Sequence, residues 1–173
     1  MNPIPMKQSL PLILTLALIL PSGLRAELVP LTDLEPVSAI DRGGKNPLEI
    51  KDGKKRKLFL DTAHPKGELA VGPRTFERGI YFSEMKQGID YELNGNYSGF
   101  VAEVGVRRKG PASFDVLADG AFRFESGPIG DGEKRTVMLD VSDVNTLTLV
   151  VNRLDDLWTH VVIGDPYLIR KPR

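Results

Sequence analysis

The chain has 173 residues, of which 41% are hydrophobic and 27% charged, values of a globular domain rather than a disordered one. Lysine plus arginine equals aspartate plus glutamate at 23 each, so no overall field draws the chain to nucleic acid or to an anionic membrane. Cysteine is absent, which excludes disulfide staples, a thiolate nucleophile, a lipidated N-terminal cysteine and Cys-ligated metal sites.

In chain order, the first feature is MNPIPMKQ followed by the apolar run LPLILTLALIL, which ends at Pro21-Ser22-Gly23. It predicts a secretory signal peptide over residues 1–26, cleaved after Ala26, with Gly23 as the alternative cleavage point. The run is too short to cross a bilayer, which takes roughly 20 apolar residues. The mature chain is therefore expected to be secreted or periplasmic, without a membrane span, and held by its core alone.

Residues 27–46, with Pro30, Pro36, Gly43 and Gly44, read as an extended, loop-like segment packing on the domain, and residues 47–173 as one β-sandwich. PLEIKDGKKRKLFLD reads as a hairpin with Leu48 and Ile50 before an Asp52-Gly53 turn and Leu58 and Leu60 after it. Its basic run KKRK is then a solvated hairpin tip, with polyanion binding as the functional alternative. From residue 88 the pattern becomes regular: GIDYEL, SGFVAEVGVRR, ASFDVLAD, AFRFES, RTVMLDV, TLTLVVN and HVVIGDPYLI, separated by turns containing NGN, KGP, DG or GPIGDG.

Within YELNGNYSGFVAEVGV, Phe100, Ala102, Val104 and Val106 share one face while Val101, Glu103, Gly105 and Arg107 share the other. That is the period of a half-buried antiparallel strand. Val137, Leu139 and Val141 alternate in the same way, as do Leu147, Leu149 and Val151. Many short strands, Gly-rich turns and no helical period predict an all-β fold, an antiparallel β-sandwich or jelly roll.

Trp158, the single tryptophan, follows LDDL. It reads either as a stacking platform for a sugar ring, with Asp155 and Asp156 accepting hydroxyls, or as a core anchor. His160 stands two positions on, on the same side of a strand; the choice there is between a ligand-binding and a satisfied structural histidine. Arg107, Arg108 and Lys109 end a strand ahead of Gly110-Pro111, placed to meet an anionic sugar or an acidic partner, or else as a solvated strand end. Tyr81, Tyr91 and Tyr97 line a groove or pack as strand tyrosines. Asp119-Gly120 and Asp131-Gly132 read as hairpin turns; the DxDxDG spacing of a dedicated calcium loop is missing. The two histidines, His64 and His160, come with no GxSxG elbow, HExxH or phosphate loop, so no catalytic residue is assigned and no enzyme is expected.

The order of LTDLEP at 31–36, FERGIYFS at 76–83, YELNGNYSGFVAEVGV at 91–106, FDVLADGAFRFES at 114–126, LDVSDVNTLTLVV at 139–151 and HVVIGDPYL at 160–168 resembles the NPCBM family of carbohydrate-binding modules, which have a galactose-binding-like jelly roll. The resemblance implies a non-catalytic module that binds a glycan or polysaccharide, often beside a glycoside hydrolase and often with a structural calcium ion. Three departures stand out. Ser83 or a close neighbour replaces a histidine, Arg107 and Arg108 replace an Asp pair, and Thr159-His160-Val161-Val162-Ile163-Gly164-Asp165-Pro166 replaces Asp-His-Ala-Asp-Trp-Ala-Asp-Pro. Carboxylates and a ring are lost, while His160, Asp165 and Pro166 remain. Two expectations follow: a secreted carbohydrate-binding module using Trp158, His160, Asp155, Asp156, Arg107 and Arg108, or an envelope or extracellular domain that kept the sandwich, lost the sugar site and binds a protein partner.

Overall fold

The computed structural model describes residues 26–41, 58–63, 67–83, 87–155 and 159–172. Residues 1–25, the hairpin turn with its basic run, and His64 lie outside them. The described strands are β1 (Leu28–Pro30), β2 (Ser38–Asp41), β3 (Leu58–Leu60), β4 (Leu69–Val71), β5 (Arg74–Phe76), β6 (Gly79–Phe82), β7 (Gln87–Glu92), β8 (Tyr97–Arg108), β9 (Ala112–Ala118), β10 (Ala121–Glu125), β11 (Lys134–Asp140), β12 (Thr146–Arg153) and β13 (His160–Arg170).

Two sheets face each other, as the alternating patterns predict. The first is ordered β11-β8-β13-β6-β3 with β1 added beside β13, and the second β10-β9-β12-β7-β2. Strand pairing within both is antiparallel. The seven strands read from residue 88 onward are β7 to β13. Their inward residues build one core: Phe100, Val104 and Val106 from β8, Val137 from β11, Ile89 and Tyr91 from β7, Leu147 and Leu149 from β12, and Phe114 and Val116 from β9 are all buried. Burying such side chains stabilises by about 1.5–3 kcal/mol each.

The turns follow the local chemistry. Asp119 and Gly120 adopt φ of 49° and 82°, the paired positive values of the tight hairpin turn that joins β9 to β10; Asn94 and Gly95, at 50° and 65°, turn the chain in the same way but carry it from the second sheet (β7) to the first (β8). The Asp119 carboxylate accepts hydrogen bonds from the backbone N–H groups of Asn145 and Thr146, tying this turn to the start of β12.

Two readings change. The segment read as loop-like contributes β1 to the first sheet and β2 to the second: Val29 pairs with Leu168 and Ala39 with Ile89. Strands of three or four residues are too short to display an alternation, and their partners lie far along the chain. The second change concerns the outer face of the first sheet, expected from the alternation to face solvent. The β4–β5 hairpin lies on it, and Leu69, Val71 and Phe76 form a separate small cluster with Ala63, Tyr81 and Val162. Glycines make room for it. A Cβ on Gly105 would stand 2.7 Å from the Val71 side chain, one on Gly79 would stand 2.6 Å from the Ile163 carbonyl, and one on Gly164 would enter the Phe76 ring. Hence the hairpin docks where three neighbouring strands carry no side chain.

Candidate functional site

The strand ends beyond this hairpin carry most of the described polar residues singled out above. β8 leaves the sheet through Arg107 and Arg108, β13 enters it at His160, and the two strands pair so that His160 faces Arg108. Tyr81 of β6 comes up beside them: its hydroxyl lies 2.5 Å from His160 Nδ1, and the two rings meet edge-on with centroids 5.3 Å apart. Phe59 of β3 contacts the other side of Tyr81 at 6.0 Å, also edge-on.

Burial pushes the Tyr81 phenol up from its ordinary value, and the positive charges of Arg107 and Arg108 pull against that shift. The phenol keeps its proton at neutral pH, and with Tyr81 as the donor to Nδ1 the imidazole hydrogen of that tautomer is on Nε2. The structure thus gives His160 an oriented ring rather than a loose one. The sequence held no signal for this, because Tyr81 is distant in the chain and carries the same strand-tyrosine signature as Tyr91 and Tyr97. All three are buried, which corrects the groove reading: they pack.

Arg107 is half-buried and donates from Nη1 to the Glu68 carbonyl at 2.8 Å, fastening the base of the hairpin to the end of β8. Arg108 and Lys109 are exposed, and Lys109 takes the left-handed conformation at φ 63°. Asp155 joins the cluster from the loop after β12. Its carboxylate is pressed against Gly110, where a Cβ would overlap both oxygens, and the neighbouring Leu154 N–H donates to the Pro111 carbonyl at 3.1 Å. Asp156 and Trp158 lie outside the described residues.

His160 and Arg108 face each other at one corner of the first sheet with Arg107 beside them, and Asp155 lies against Gly110, two residues beyond Arg108. The corner combines an oriented imidazole, exposed guanidinium and ammonium donors and a carboxylate acceptor, an assortment that suits hydroxyls and anionic groups. The family-like positions that changed are equally informative. Val162 is buried in the small cluster beneath the hairpin and Ile163 in the main core. The lost ring at 163 was thus a core position, not a stacking surface.

A concavity of about 720 Å³ lies apart from this corner, beside the hairpin. Its lining includes Asp61, Glu68, Arg74, Phe76, Asp165 and Tyr167. It opens where β13 changes its partner from β6 to β1, at a register shift between Gly164 and Tyr167. Asp165 there has φ 47° and stands 3.5 Å from Arg74. Burial raises its carboxyl above the ordinary value of 3.8, against the pull of Arg74. A raised acid favours the protonated fold, so its contribution is present below the unfolded value and is lost as pH rises through the folded one. Asp165→Asn, which also tolerates the left-handed backbone, should gain stability relative to the native chain as pH goes from about 3 to about 7. Urea midpoints at both ends of that range check this; a difference that shrinks with pH refutes it.

Among the described residues no group of three or more His, Asp and Glu side chains comes together to hold a metal ion, so the calcium ion implied by the resemblance is assigned no site. No described helix is long and apolar enough to cross a membrane.

Comparison with known proteins follows the same lines. The NPCBM/NEW2 domain profile matches residues 28–168. A CBM51 module from Clostridium perfringens GH95, solved in complex with methyl-galactose, is 26% identical at a TM-score of 0.67; the match covers 82% of this chain and 99% of that one. The second CBM51 module of C. perfringens ZmpB, solved with GlcNAc and INT domains, is 23% identical at a TM-score of 0.68, over 83% of this chain and 32% of that one. A longer ZmpB structure, with the M60 catalytic domain and both CBM51 modules, is 22% identical at 0.68, over 84% of this chain and 15% of that one. No curated protein matches the chain.

Proposed function

The chain belongs to the NPCBM/NEW2 domain family, and from that membership we propose that it is an exported, non-catalytic carbohydrate-binding module. The observation that carries this reading is the likeness to a module solved with methyl-galactose, 26% identical and matched over 99% of its length. The corner formed by His160, Arg107, Arg108 and Asp155 supports it physically. Sugar sites need a few fixed donors and acceptors on a rigid frame, and these residues stand on two long paired strands and the loops beside them. Asp156 and Trp158, which follow Asp155 in the sequence LDDLW, are proposed with it as a second acceptor and a stacking ring on the strength of residue type. The apolar leader supports export to the periplasm or the medium. The protein-interaction alternative draws no support from these likenesses.

The reading is tested by a glycan array on the purified protein, with and without calcium, followed by titration of the best saccharide. Saturable binding is expected. His160→Ala and Trp158→Ala should each weaken it at least about tenfold, about 1.4 kcal/mol; His160→Ala also takes this partner from the buried Tyr81 hydroxyl, so its thermal midpoint should fall while the variant stays folded at the assay temperature. If no saccharide binds at millimolar concentration, the reading is wrong.

A further inference from the structure

The register of β8 against β13 bears on the class of sugar. Ile163 faces Val104, Val162 faces Gly105 and Val161 faces Val106, but His160 faces Arg108, with a register shift between His160 and Val161. Arg107 is thus the extra residue of a β-bulge. In an unbroken strand Arg108 would continue the inward face of Phe100, Ala102, Val104 and Val106; the bulge turns it outward instead, opposite His160. Arg107 keeps the outward side already, where it reaches the hairpin at Glu68. Two consecutive arginines therefore share one side of the sheet, and both charges act on the same Tyr81 phenol.

Their lack of counter-charge is the second observation. Arg74 lies within ion-pair distance of Glu103 and Asp165, Arg78 of Asp33 and Asp61, Arg135 of Glu133 and Arg170 of Glu27. Neither Arg107 nor Arg108 has a carboxylate partner among the described residues, and Arg107 spends one donor on a backbone carbonyl. Lys109 follows directly and is exposed. In a chain with no net charge, Arg107, Arg108 and Lys109 outnumber the one described carboxylate near this corner, Asp155 against Gly110, and the two guanidinium groups offer donors that fit a planar carboxylate.

Building on the carbohydrate-binding reading, we propose that this corner selects an acidic saccharide, its uronic-acid carboxylate held by Arg108 and Arg107 beside the oriented imidazole of His160. The bulge is the specificity device, because without it only one of the two guanidinium groups would face the ligand.

The test is calorimetric titration of the full protein with oligogalacturonide and with the neutral galactose oligomer of the same length, at low and high salt. The expected result is at least about tenfold preference for the acidic oligomer, falling as salt screens the contact. In Arg108→Ala that preference ratio should collapse, in Arg108→Lys it should be partly kept, and in Arg123→Ala, remote on β10, it should persist. Equal binding of both oligomers with no salt dependence overturns the proposal and leaves the carbohydrate reading standing. Binding of neither overturns the proposal as well, and the glycan array then decides the carbohydrate reading separately. A preference that survives Arg108→Ala in a folded variant also overturns it.

Discussion

Gly164→Ala is expected to cost about 2–3 kcal/mol of folding stability, the range of an overpacked core, and to lower Tm by roughly 6–12 °C. Gly164 sits on β13 where its missing side chain lets the Phe76 ring lie against the strand, and a Cβ there would overlap the ring carbons themselves. The ring has little room to retreat. It is buried with Tyr81 and Val162 beneath the hairpin and carries the Arg74 guanidinium 5.4 Å from its centroid. Pairing the substitution with Phe76→Leu separates this account from a general intolerance of alanine at 164. If ring and glycine act as one contact, the double variant should lose clearly less than the sum of the single losses. Additive losses would mean that the clash is not the cause. The effect should also reach the proposed site, since displacing the hairpin shifts the Glu68 carbonyl that holds Arg107.

A still larger loss, about 3–5 kcal/mol, is expected for Phe100→Ala. Phe100 is fully buried at the middle of the first sheet, between Leu139 on β11 and Leu168 on β13, so its removal leaves a cavity walled by strands on both sides. The total stability of a domain this size is about 5–15 kcal/mol, and the variant should lie close to its unfolding limit. The control is Met138→Ala. Met138 is on the neighbouring strand but points outward with 60% of its surface exposed, and its truncation should change stability by no more than about 0.5 kcal/mol. Urea midpoints of the two variants decide the matter; comparable losses would mean that the inward and outward faces of β8 and β11 are wrongly assigned.

These contrasts trace how far the residues themselves reach. β7 to β13 were legible because each is long enough, five residues or more, for a period of two to emerge above chance. β1 to β6 were not read in full. Short strands such as Leu69–Val71 and Arg74–Phe76 hold three residues each, and a run of that length is apolar or mixed without a period. Of the proposed site residues, His160, Arg107, Arg108 and Asp155 were picked by residue type and position at strand ends; the structure pairs His160 with Arg108 and sets Asp155 against Gly110. Tyr81 was named only as a groove-lining or packing tyrosine, because its partner is a histidine 79 positions away, a distance at which sequence carries no pairwise signal.

By itself the sequence determined the antiparallel sandwich, the inward faces of the long strands and the hairpin turn at Asp119-Gly120, since backbone preference and side-chain alternation are properties of neighbouring residues; that the turn at Asp131-Gly132, read as a second hairpin, instead carries the chain from one sheet to the other was decided by the tertiary structure. Tertiary structure alone decided that a hairpin covers the outer face at Gly79, Gly105 and Gly164, and that a bulge turns Arg108 to the side of Arg107 and His160. Both depend on which strand lies alongside, and for β8 and β13 that partner is more than fifty residues away. Local alternation would have sent Arg108 into the core; a one-residue slip in pairing is what brings it to the surface.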